Sequence, residues 1–255
     1  MNADLGLALQ LADAADAITM RHFRSSTLAV RAKGDATPVS EADEAVERAI
    51  RVTLAKERPD DGIVGEEFGV ESRGERRWII DPIDATKNYV RGIPVFATLI
   101  ALAREVEGRP LPIVGVVSAP ALGRRWYASF GDGAFVNGER MRVSNVNTLT
   151  NSQLLYDAIH DFDEFNLGDR FLALARRCGR TRAFGDFWSY MLVAEGTSEI
   201  AIEPRVALWD LAALQIIVEE AGGRFTTFGG EARPDGGNAI ATNGLVHDKV
   251  LEAMR

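Results

Sequence analysis

A short apolar run that passes directly into acidic residues constrains the fold of this chain more than any other feature. The run Trp78-Ile79-Ile80 is typical of a buried strand, and Asp81-Pro82-Ile83-Asp84-Ala85-Thr86 follows at once. Pro82 fixes its own φ and favours an extended conformation at Asp81. The chain is then expected to turn, so that Asp84 points to the same side as Asp81. The pattern predicts a pair of carboxylates at the end of a buried strand.

The chemistry of this pair indicates a metal site. Two neighbouring carboxylates repel each other, and both stay ionised when cations lie between them. A turn after Asp84 would also leave the N–H groups of Ala85 and Thr86 available to phosphate oxygens. The alternative is a purely structural turn, in which Asp84 accepts a hydrogen bond from its own backbone.

Two further acidic segments stand at the ends of predicted elements. Gly65-Glu66-Glu67 follows the strand-like Ile63-Val64, and Trp209-Asp210 opens a predicted helix. Taken alone, the glutamates are compatible with a solvated loop, and Asp210 with a helix cap. Together with the Asp81 segment, they supply enough oxygen ligands for two or three Mg²⁺ ions. The combination predicts a metal-dependent phosphatase in which metal ions activate the attacking water.

Asp43 has two interpretations. Ser40-Glu41-Ala42-Asp43 matches a capping box at the start of a helix that ends before Pro59. The functional interpretation makes Asp43 an orienting base, which accepts a hydrogen bond from Thr86 while the Thr86 oxygen holds the attacking water.

Composition narrows the class of protein and of partner. The net charge of −8 over 255 residues argues against nucleic acid, which is bound by clustered Lys and Arg. An acidic protein still binds a small-molecule phosphate ester when metal ions reverse the local field. The longest apolar stretch, 95–103, is far below the roughly 20 residues that span a bilayer. The single Cys178 fits a reducing cytoplasm, so a cytoplasmic protein without membrane contact is expected.

The arrangement of elements predicts one layered α/β unit over 1–255. Residues 1–145 contain two helices and then a series of strands, with a hairpin at Asn137-Gly138. Residues 146–255 alternate between strands and helices. No linker separates the halves, so we expect two sheets with helices layered between them.

Several segments together resemble the inositol-monophosphatase-like superfamily of Mg²⁺-dependent phosphatases. They are D-P-I-D-A-T-K-N-Y-V-R-G-I-P at 81–94, G-E-E upstream and W-D-L-A-A downstream. The resemblance covers nearly the whole chain. It implies an αβαβα sandwich, a homodimer and hydrolysis of a phosphomonoester.

The resemblance also implies roles for individual residues. Glu66, Asp81 and the Ile83 carbonyl would hold one Mg²⁺, and Glu66 would assist a third ion. Asp81, Asp84 and Asp210 would hold the second. The pair that orients the water corresponds to Thr86 and Asp43, with Glu66 also in the catalytic set. The substrate would contact Ile83, Asp84, Ala85, Thr86, Arg182, Asp186, Glu203 and Asp210.

One position departs from the superfamily pattern, which usually has Gly where this chain has Ala85. A positive φ there would make Ala costly, whereas use of the N–H alone would not. We expect that only the N–H is used.

The segment Arg182-Ala183-Phe184-Gly185-Asp186-Phe187-Trp188-Ser189-Tyr190 bears on the substrate. It resembles the histidinol-phosphatases of the superfamily, and a carboxylate at Asp186 would pair with the ammonium group of histidinol phosphate. Glu203 would accept from an amine or imidazole, and Arg182 would orient these acids or contact the ester. The structural alternatives are a helix cap for Asp186 and a surface ion pair for Arg182.

Other functions remain open at this point. The segment 156–162 differs from the serine-rich stretch associated with actinobacterial histidinol-phosphatases. An inositol-1-phosphatase and a 3′-phosphoadenosine 5′-phosphate phosphatase are alternatives within the reaction class. A non-catalytic regulatory or RNA-polymerase-associated binding protein is the alternative from another class.

Overall fold

The computed structural model describes residues 2–32, 34 and 38–255. In this part of the chain the helices are α1 (Ala3–His22), α2 (Glu41–Glu57), α3 (Thr86–Val90), α4 (Ile159–Glu164), α5 (Gly168–Arg177), α6 (Asp186–Ala194), α7 (Leu208–Glu220) and α8 (His247–Met254). The predicted helix that ends before Pro59 is present as α2, and the one that opens at Trp209-Asp210 is present as α7. The short α3 and α4 were not predicted, because five and six residues are too few to show a helical period.

The first nine strands are β1 (Val30–Ala32), β2 (Pro38–Ser40), β3 (Gly62–Gly65), β4 (Gly69–Glu71), β5 (Arg76–Asp84), β6 (Ala97–Val106), β7 (Arg109–Ala119), β8 (Arg124–Ser129) and β9 (Gly133–Val136). The others are β10 (Glu139–Arg140), β11 (Gln153–Leu155), β12 (Arg180–Arg182), β13 (Ile200–Glu203), β14 (Arg224–Thr226) and β15 (Ala239–Thr242). The predicted hairpin is present between β9 and β10, where Asn137 and Gly138 have φ of 48° and 89°.

Two sheets organise the molecule, beside a small β1–β2 ribbon. The larger sheet has the order β10-β9-β8-β7-β6-β5-β3-β4, and only β3 and β5 pair in parallel. The smaller sheet has the order β12-β11-β13-β15-β14, with β11 parallel to both β12 and β13.

Side-chain alternation on the strands shows how helices are layered on these sheets. On β6, Leu99 and Ala101 face one core cluster, whereas Ile100 and Leu102 face another. The cluster around Ile100 contains α1 and α2, and the cluster around Leu99 contains α6 and α7. One face of the smaller sheet packs against the cluster around Leu99, on the side opposite the larger sheet. Its other face packs against α4, α5 and α8. The predicted αβαβα sandwich is therefore confirmed.

Local signals explain where the helices that lead to the site begin. The Ser40 hydroxyl accepts the Ala42 N–H, and the Asp43 carboxylate accepts the Ser40 N–H, so the predicted capping box starts α2.

Among the described helices, none is long and apolar enough to cross a membrane.

Candidate active site

An irregularity in β5 brings Asp81 and Asp84 to the same side of the sheet. Residues three apart on a regular strand point to opposite faces. Here Asp81 pairs with Leu99 and Asp84 with Ala97, so β5 contains one more residue than β6 between these pairs. This is a bulge, and the Thr98 hydroxyl holds it by donating to the Pro82 carbonyl at 2.8 Å. The predicted turn after Asp81 is thus wrong in form: the strand continues to Asp84.

Asp210 completes a set of three carboxylates with this pair. It lies in the first turn of α7, which approaches the sheet closely because Gly115 on β7 has no side chain: a Cβ there would lie 2.7 Å from the Ala213 carbonyl oxygen. One oxygen from each of Asp81, Asp84 and Asp210 lies within 4.8 Å of the others. Asp210 also caps α7, since its Oδ2 atom accepts the Ala207 N–H at 2.7 Å. The same side chain therefore belongs both to the helix cap and to the carboxylate set.

The electrostatics of the set fit a divalent cation. Asp81 and Asp84 are buried, and Asp81 Oδ1 has no hydrogen-bond partner among the described residues. Burial raises the pKa of Asp81 well above its usual value, and the charges of Glu66, Asp84 and Asp210 add to this. Burial likewise raises the pKa of Asp84, together with the charges of Asp186 and Asp210. A bound cation would offset both causes, and carboxylate oxygens are the ligands that Mg²⁺ prefers.

Glu66 lies beside this set because β3 and β5 run parallel. Their register pairs Gly65 with Ile80, and the Glu66 N–H donates to the Ile80 carbonyl at 3.3 Å. The acidic residues that follow the two strands therefore meet at one sheet edge, as the sequence pattern predicts.

A buried glutamate on α2 supports the Glu66 segment and was not singled out from the sequence. The Glu47 side chain is 0% exposed, and it accepts the N–H groups of Glu67 and Phe68 at 2.7 and 3.2 Å. Arg51 Nε donates to it at 2.8 Å. The sequence contains a signal for its burial, because Glu47 follows Val46 directly and lies on the buried side of α2.

The capping box at Asp43 is confirmed, and the contact with Thr86 that the functional interpretation requires is also present, because the two carboxylate oxygens have different partners. Oδ2 accepts the Ser40 N–H and hydroxyl at 2.8 and 2.6 Å. Oδ1 accepts the Thr86 hydroxyl at 3.3 Å, and the same hydroxyl lies 2.8 Å from the Ile83 carbonyl. Burial raises the pKa of Asp43 to about 6, against the hydrogen bonds from Ser40. At neutral pH the carboxylate is therefore largely ionised and can accept a proton.

Ala85 corrects an expectation. Its φ of 65° and ψ of 45° place it in the left-handed region, directly before α3. The expectation that only its N–H matters was wrong, because the chain must reverse sharply between the bulge in β5 and the start of α3. A non-Gly residue here costs roughly 1 kcal/mol of strain.

A cavity of about 100 Å³ adjoins the carboxylate set and contains the predicted specificity residues. Asp84 and Asp210 line one part of it, and Asp186 and Glu203 line another. The N-terminus of α6 connects the two, since the Phe187 N–H donates to Asp84 Oδ2 at 2.7 Å.

The cavity is strongly acidic. Burial raises the pKa of Asp186 to about 7, with the charges of Asp157 and Asp210 as further causes. Burial also raises the pKa of Glu203 well above its usual value, with Asp186 as the first neighbouring charge. Glu203 Oε2 accepts the Tyr190 hydroxyl at 3.2 Å. Asp186 is the first residue of α6 and follows the N-cap Gly185, so it does not occupy the cap position considered for it.

Two residues differ from the predicted substrate site: Asp157 was not predicted to belong to it, and Arg182 was. Asp157 lines the cavity and follows β11, with burial and the charge of Asp161 raising its pKa. An acid shortly after a buried strand is the signal that also marked Asp81. Arg182 lies on edge strand β12, is exposed, and donates to the Thr181 carbonyl at 2.7 Å. It is outside the residues that line the cavity, and its substrate contact stays a prediction.

Comparison with known proteins agrees with this geometry. The sequence model of the Inositol monophosphatase family matches residues 3–255. Among solved structures, a Thermotoga maritima IMPase is similar with a TM-score of 0.86 at 35% identity, covering 99% of this chain and 96% of the other. An extragenic suppressor protein from Bartonella henselae has a TM-score of 0.90 at 30% identity, covering 100% and 99%.

The chain therefore belongs to the inositol monophosphatase family and is a phosphatase, with the acidic metal cluster that this metal-dependent family uses. Two relatives narrow the comparison further. A histidinol-phosphatase of Streptomyces coelicolor is 54% identical over 253 residues, which are 97% of this chain and 95% of the relative. A histidinol-phosphatase of Mycobacterium tuberculosis is 51% identical over 257 residues, 98% and 97% of the two chains.

Proposed function

We propose that this phosphatase hydrolyses L-histidinol phosphate to L-histidinol and inorganic phosphate, as a step of histidine biosynthesis. The observation that carries the proposal is the acidic cavity next to the carboxylate set. A phosphate monoester with a cationic organic part matches both, because the phosphate belongs at the metal ions and the cation belongs among carboxylates. The identity of more than 50% to two histidinol-phosphatases supports the same substrate.

The metal is proposed to be Mg²⁺. Glu66, Asp81 and the Ile83 carbonyl would hold one ion, and Asp81, Asp84 and Asp210 another. Held by these residues, two such ions would supply neutralisation of phosphate charge, activation of a water, and stabilisation of the attacking and leaving oxygens. The Ile83 carbonyl and Asp43 Oδ1 are alternative acceptors of the single Thr86 hydroxyl proton, so donation to Asp43 leaves both carbonyl lone pairs for an ion.

Thr86 and Asp43 are proposed to orient the attacking water. The Thr86 hydroxyl donates to Asp43 Oδ1, which leaves its oxygen lone pairs to accept a proton from the water. Asp43 is fixed in turn by two bonds from Ser40 to its other oxygen. The pair therefore has a defined direction of proton movement, from water through Thr86 to Asp43.

At the other end of the substrate, Asp186 and Glu203 are proposed to bind the ammonium group. Both line the cavity, and neither has a cationic hydrogen-bond partner among the described residues. The N–H groups of Ala85 and Thr86 as phosphate ligands, the homodimer and the cytoplasmic location stay predictions.

The test is phosphate release from L-histidinol phosphate and from myo-inositol 1-phosphate at equal concentration, with and without Mg²⁺. We expect kcat/KM at least about 100-fold higher for histidinol phosphate, because one well-placed charge pair discriminates by roughly 2.7 kcal/mol. Preference for inositol phosphate would overturn the substrate and leave the metal site standing. Release without any divalent ion would overturn the metal assignment.

A further inference from the structure

Beyond Asp84 and Asp210 of the metal set and Asp161 at the rim, the cavity is lined by three more carboxylates, those of Asp157, Asp186 and Glu203. Three exceed what one ammonium group requires. Among the described residues, neither Asp157 nor Asp186 makes a side-chain hydrogen bond or ion pair, and Glu203 accepts only from the Tyr190 hydroxyl. Three acids with no hydrogen bond or ion pair to a cation among the described residues indicate a ligand with more than one positive or donor group.

Glu203 supplies an independent sign of a ligand. The residue is 6% exposed, and its Oε1 atom has no hydrogen-bond partner in the part of the chain that the structure describes. Leaving a buried acceptor unpaired is costly, so a donor is expected there in the working enzyme.

The ligand of these three acids is an organic group rather than another metal ion. Among the described residues, the carboxylate set of Asp81, Asp84 and Asp210 is the one group whose oxygens converge within 4.8 Å. Asp157, Asp186 and Glu203 do not converge in this way. Acids spread along one cavity fit donors spread along one molecule.

Their order along the cavity follows from hydrogen bonds and packing at the start of α6. The Phe187 N–H donates to Asp84 Oδ2, so the adjacent Asp186 lies next to the metal end. Glu203 accepts from Tyr190, one turn further along the same helix. Asp157 packs against Gly185, which precedes Asp186 and so lies on the side away from Phe187. Asp157 is therefore placed at the end of the cavity away from the metal set.

This order matches the order of groups in L-histidinol phosphate, in which the ammonium-bearing carbon lies between the phosphate ester and the imidazole. We propose that Asp157 is a specificity-determining residue that accepts a hydrogen bond from a ring N–H of the substrate imidazole, while Asp186 and Glu203 bind the ammonium group. The inference rests on the proposed function and assigns the ring end of the same site.

The neighbouring Asp161 is not available for this role. Arg205 Nη2 and His160 Nε2 each lie 3.2 Å from Asp161 Oδ1. Arg205 also pairs with Glu164 at 2.8 Å, which fixes the rim of the cavity. Asp157 lies instead against Gly185, where a Cβ would come within 2.5 Å of Asp157 Oδ1. Gly185 thus leaves room for the Asp157 carboxylate beside Asp186.

The experiment compares Asp157→Ala and Asp157→Asn with wild type on two substrates, L-histidinol phosphate and L-phenylalaninol phosphate. Both substrates carry the ammonium group, but only the first has a ring N–H. We expect Asp157→Ala to lower kcat/KM for histidinol phosphate by about 10- to 100-fold, the value of a hydrogen bond to a charged group. The loss for phenylalaninol phosphate should be at least about tenfold smaller. Asn keeps an acceptor oxygen and should recover part of the loss.

The control is Asp169→Asn, an exposed acid in the first turn of α5, which should leave both substrates unchanged. Thermal melting verifies that the variants fold. Equal losses on the two substrates, or no loss on histidinol phosphate, would overturn the role of Asp157. A wild-type enzyme that prefers inositol phosphate would instead refute the proposed function, so the two failures are distinguishable.

Discussion

Glu47 offers the sharpest test of how the metal site is built. Its carboxylate connects α2 to the segment that carries Glu66, through the N–H groups of Glu67 and Phe68. Glu47→Gln keeps the size of the side chain but replaces one acceptor oxygen by an NH₂ group. Oε2 accepts from Glu67, and Oε1 accepts from both Phe68 and Arg51. Either orientation of the amide therefore leaves at least one of these donors facing another donor.

The magnitude follows from these contacts. An unsatisfied buried donor costs about 1–3 kcal/mol, and hydrogen bonds to a charged group are worth about 1.5–3 kcal/mol. Arg51 also loses its buried partner, although it keeps a bond of 2.5 Å to the Gly69 carbonyl. We expect the free energy of unfolding to fall by about 2–4 kcal/mol. Since the same contacts hold the Glu66 segment, the Mg²⁺ affinity should fall by about tenfold.

Urea unfolding followed by circular dichroism in EDTA measures the first quantity, and calorimetric Mg²⁺ titration measures the second. The matched control is Glu57→Gln, at the exposed end of the same helix, which should change the unfolding free energy by less than about 0.5 kcal/mol. A Glu47→Gln protein with wild-type stability and wild-type Mg²⁺ affinity would refute the reasoning.

Three more predictions test other features. Asp81→Asn should raise the melting temperature of the metal-free protein, because it removes a buried charge from the carboxylate set. It should also abolish the stabilisation by Mg²⁺. Thermal melts with and without Mg²⁺ measure both effects, and a variant whose melting temperature still rises with Mg²⁺ would contradict the prediction. Ala85→Gly should raise the free energy of unfolding by about 0.5 kcal/mol in urea unfolding. The strain relieved at the positive φ exceeds the cost of the extra conformational entropy that Gly gives the unfolded chain. A lower free energy of unfolding would contradict this prediction. Burial lowers the pKa of His247 to about 4, and Thr226 and Thr242 bond its ring nitrogens at 2.9 and 3.0 Å. The unfolded chain therefore takes up the proton first as pH falls, and wild type should lose about 2 kcal/mol more stability than His247→Gln between about pH 6.5 and about pH 4.5. Parallel pH profiles for the two proteins would contradict that assignment.

The sequence predicted the parts of the site that depend on local pattern. Asp81 and Glu66 follow short apolar runs, and such runs become neighbouring strands whose ends meet. The same local logic predicted the capping box at Asp43. The combined motifs of the resemblance also predicted the five-layer fold, which no single element determines.

What the sequence did not predict depends on pairing between distant segments. The bulge between Asp81 and Asp84 exists only relative to β6, and a single strand gives no sign of its partner's register. The positive φ of Ala85 follows from the geometry after that bulge. Asp157 was missed because its position beside Glu203 depends on the pairing of β11 with β13. Glu47 looks like an ordinary helical glutamate until the Glu66 segment lies against it.

The bond from the Phe187 N–H to Asp84 has a consequence for the order of events in folding. It joins residues 103 positions apart, and Asp210 comes from still later in the chain. Contacts between such distant segments close large loops and tend to form late, after each sheet has its own structure. An ion that requires Asp84 and Asp210 together can therefore bind only after α7 has docked on the larger sheet. Mg²⁺ should accordingly slow unfolding and leave the folding rate nearly unchanged, so the ion preserves the finished enzyme and does not guide its assembly.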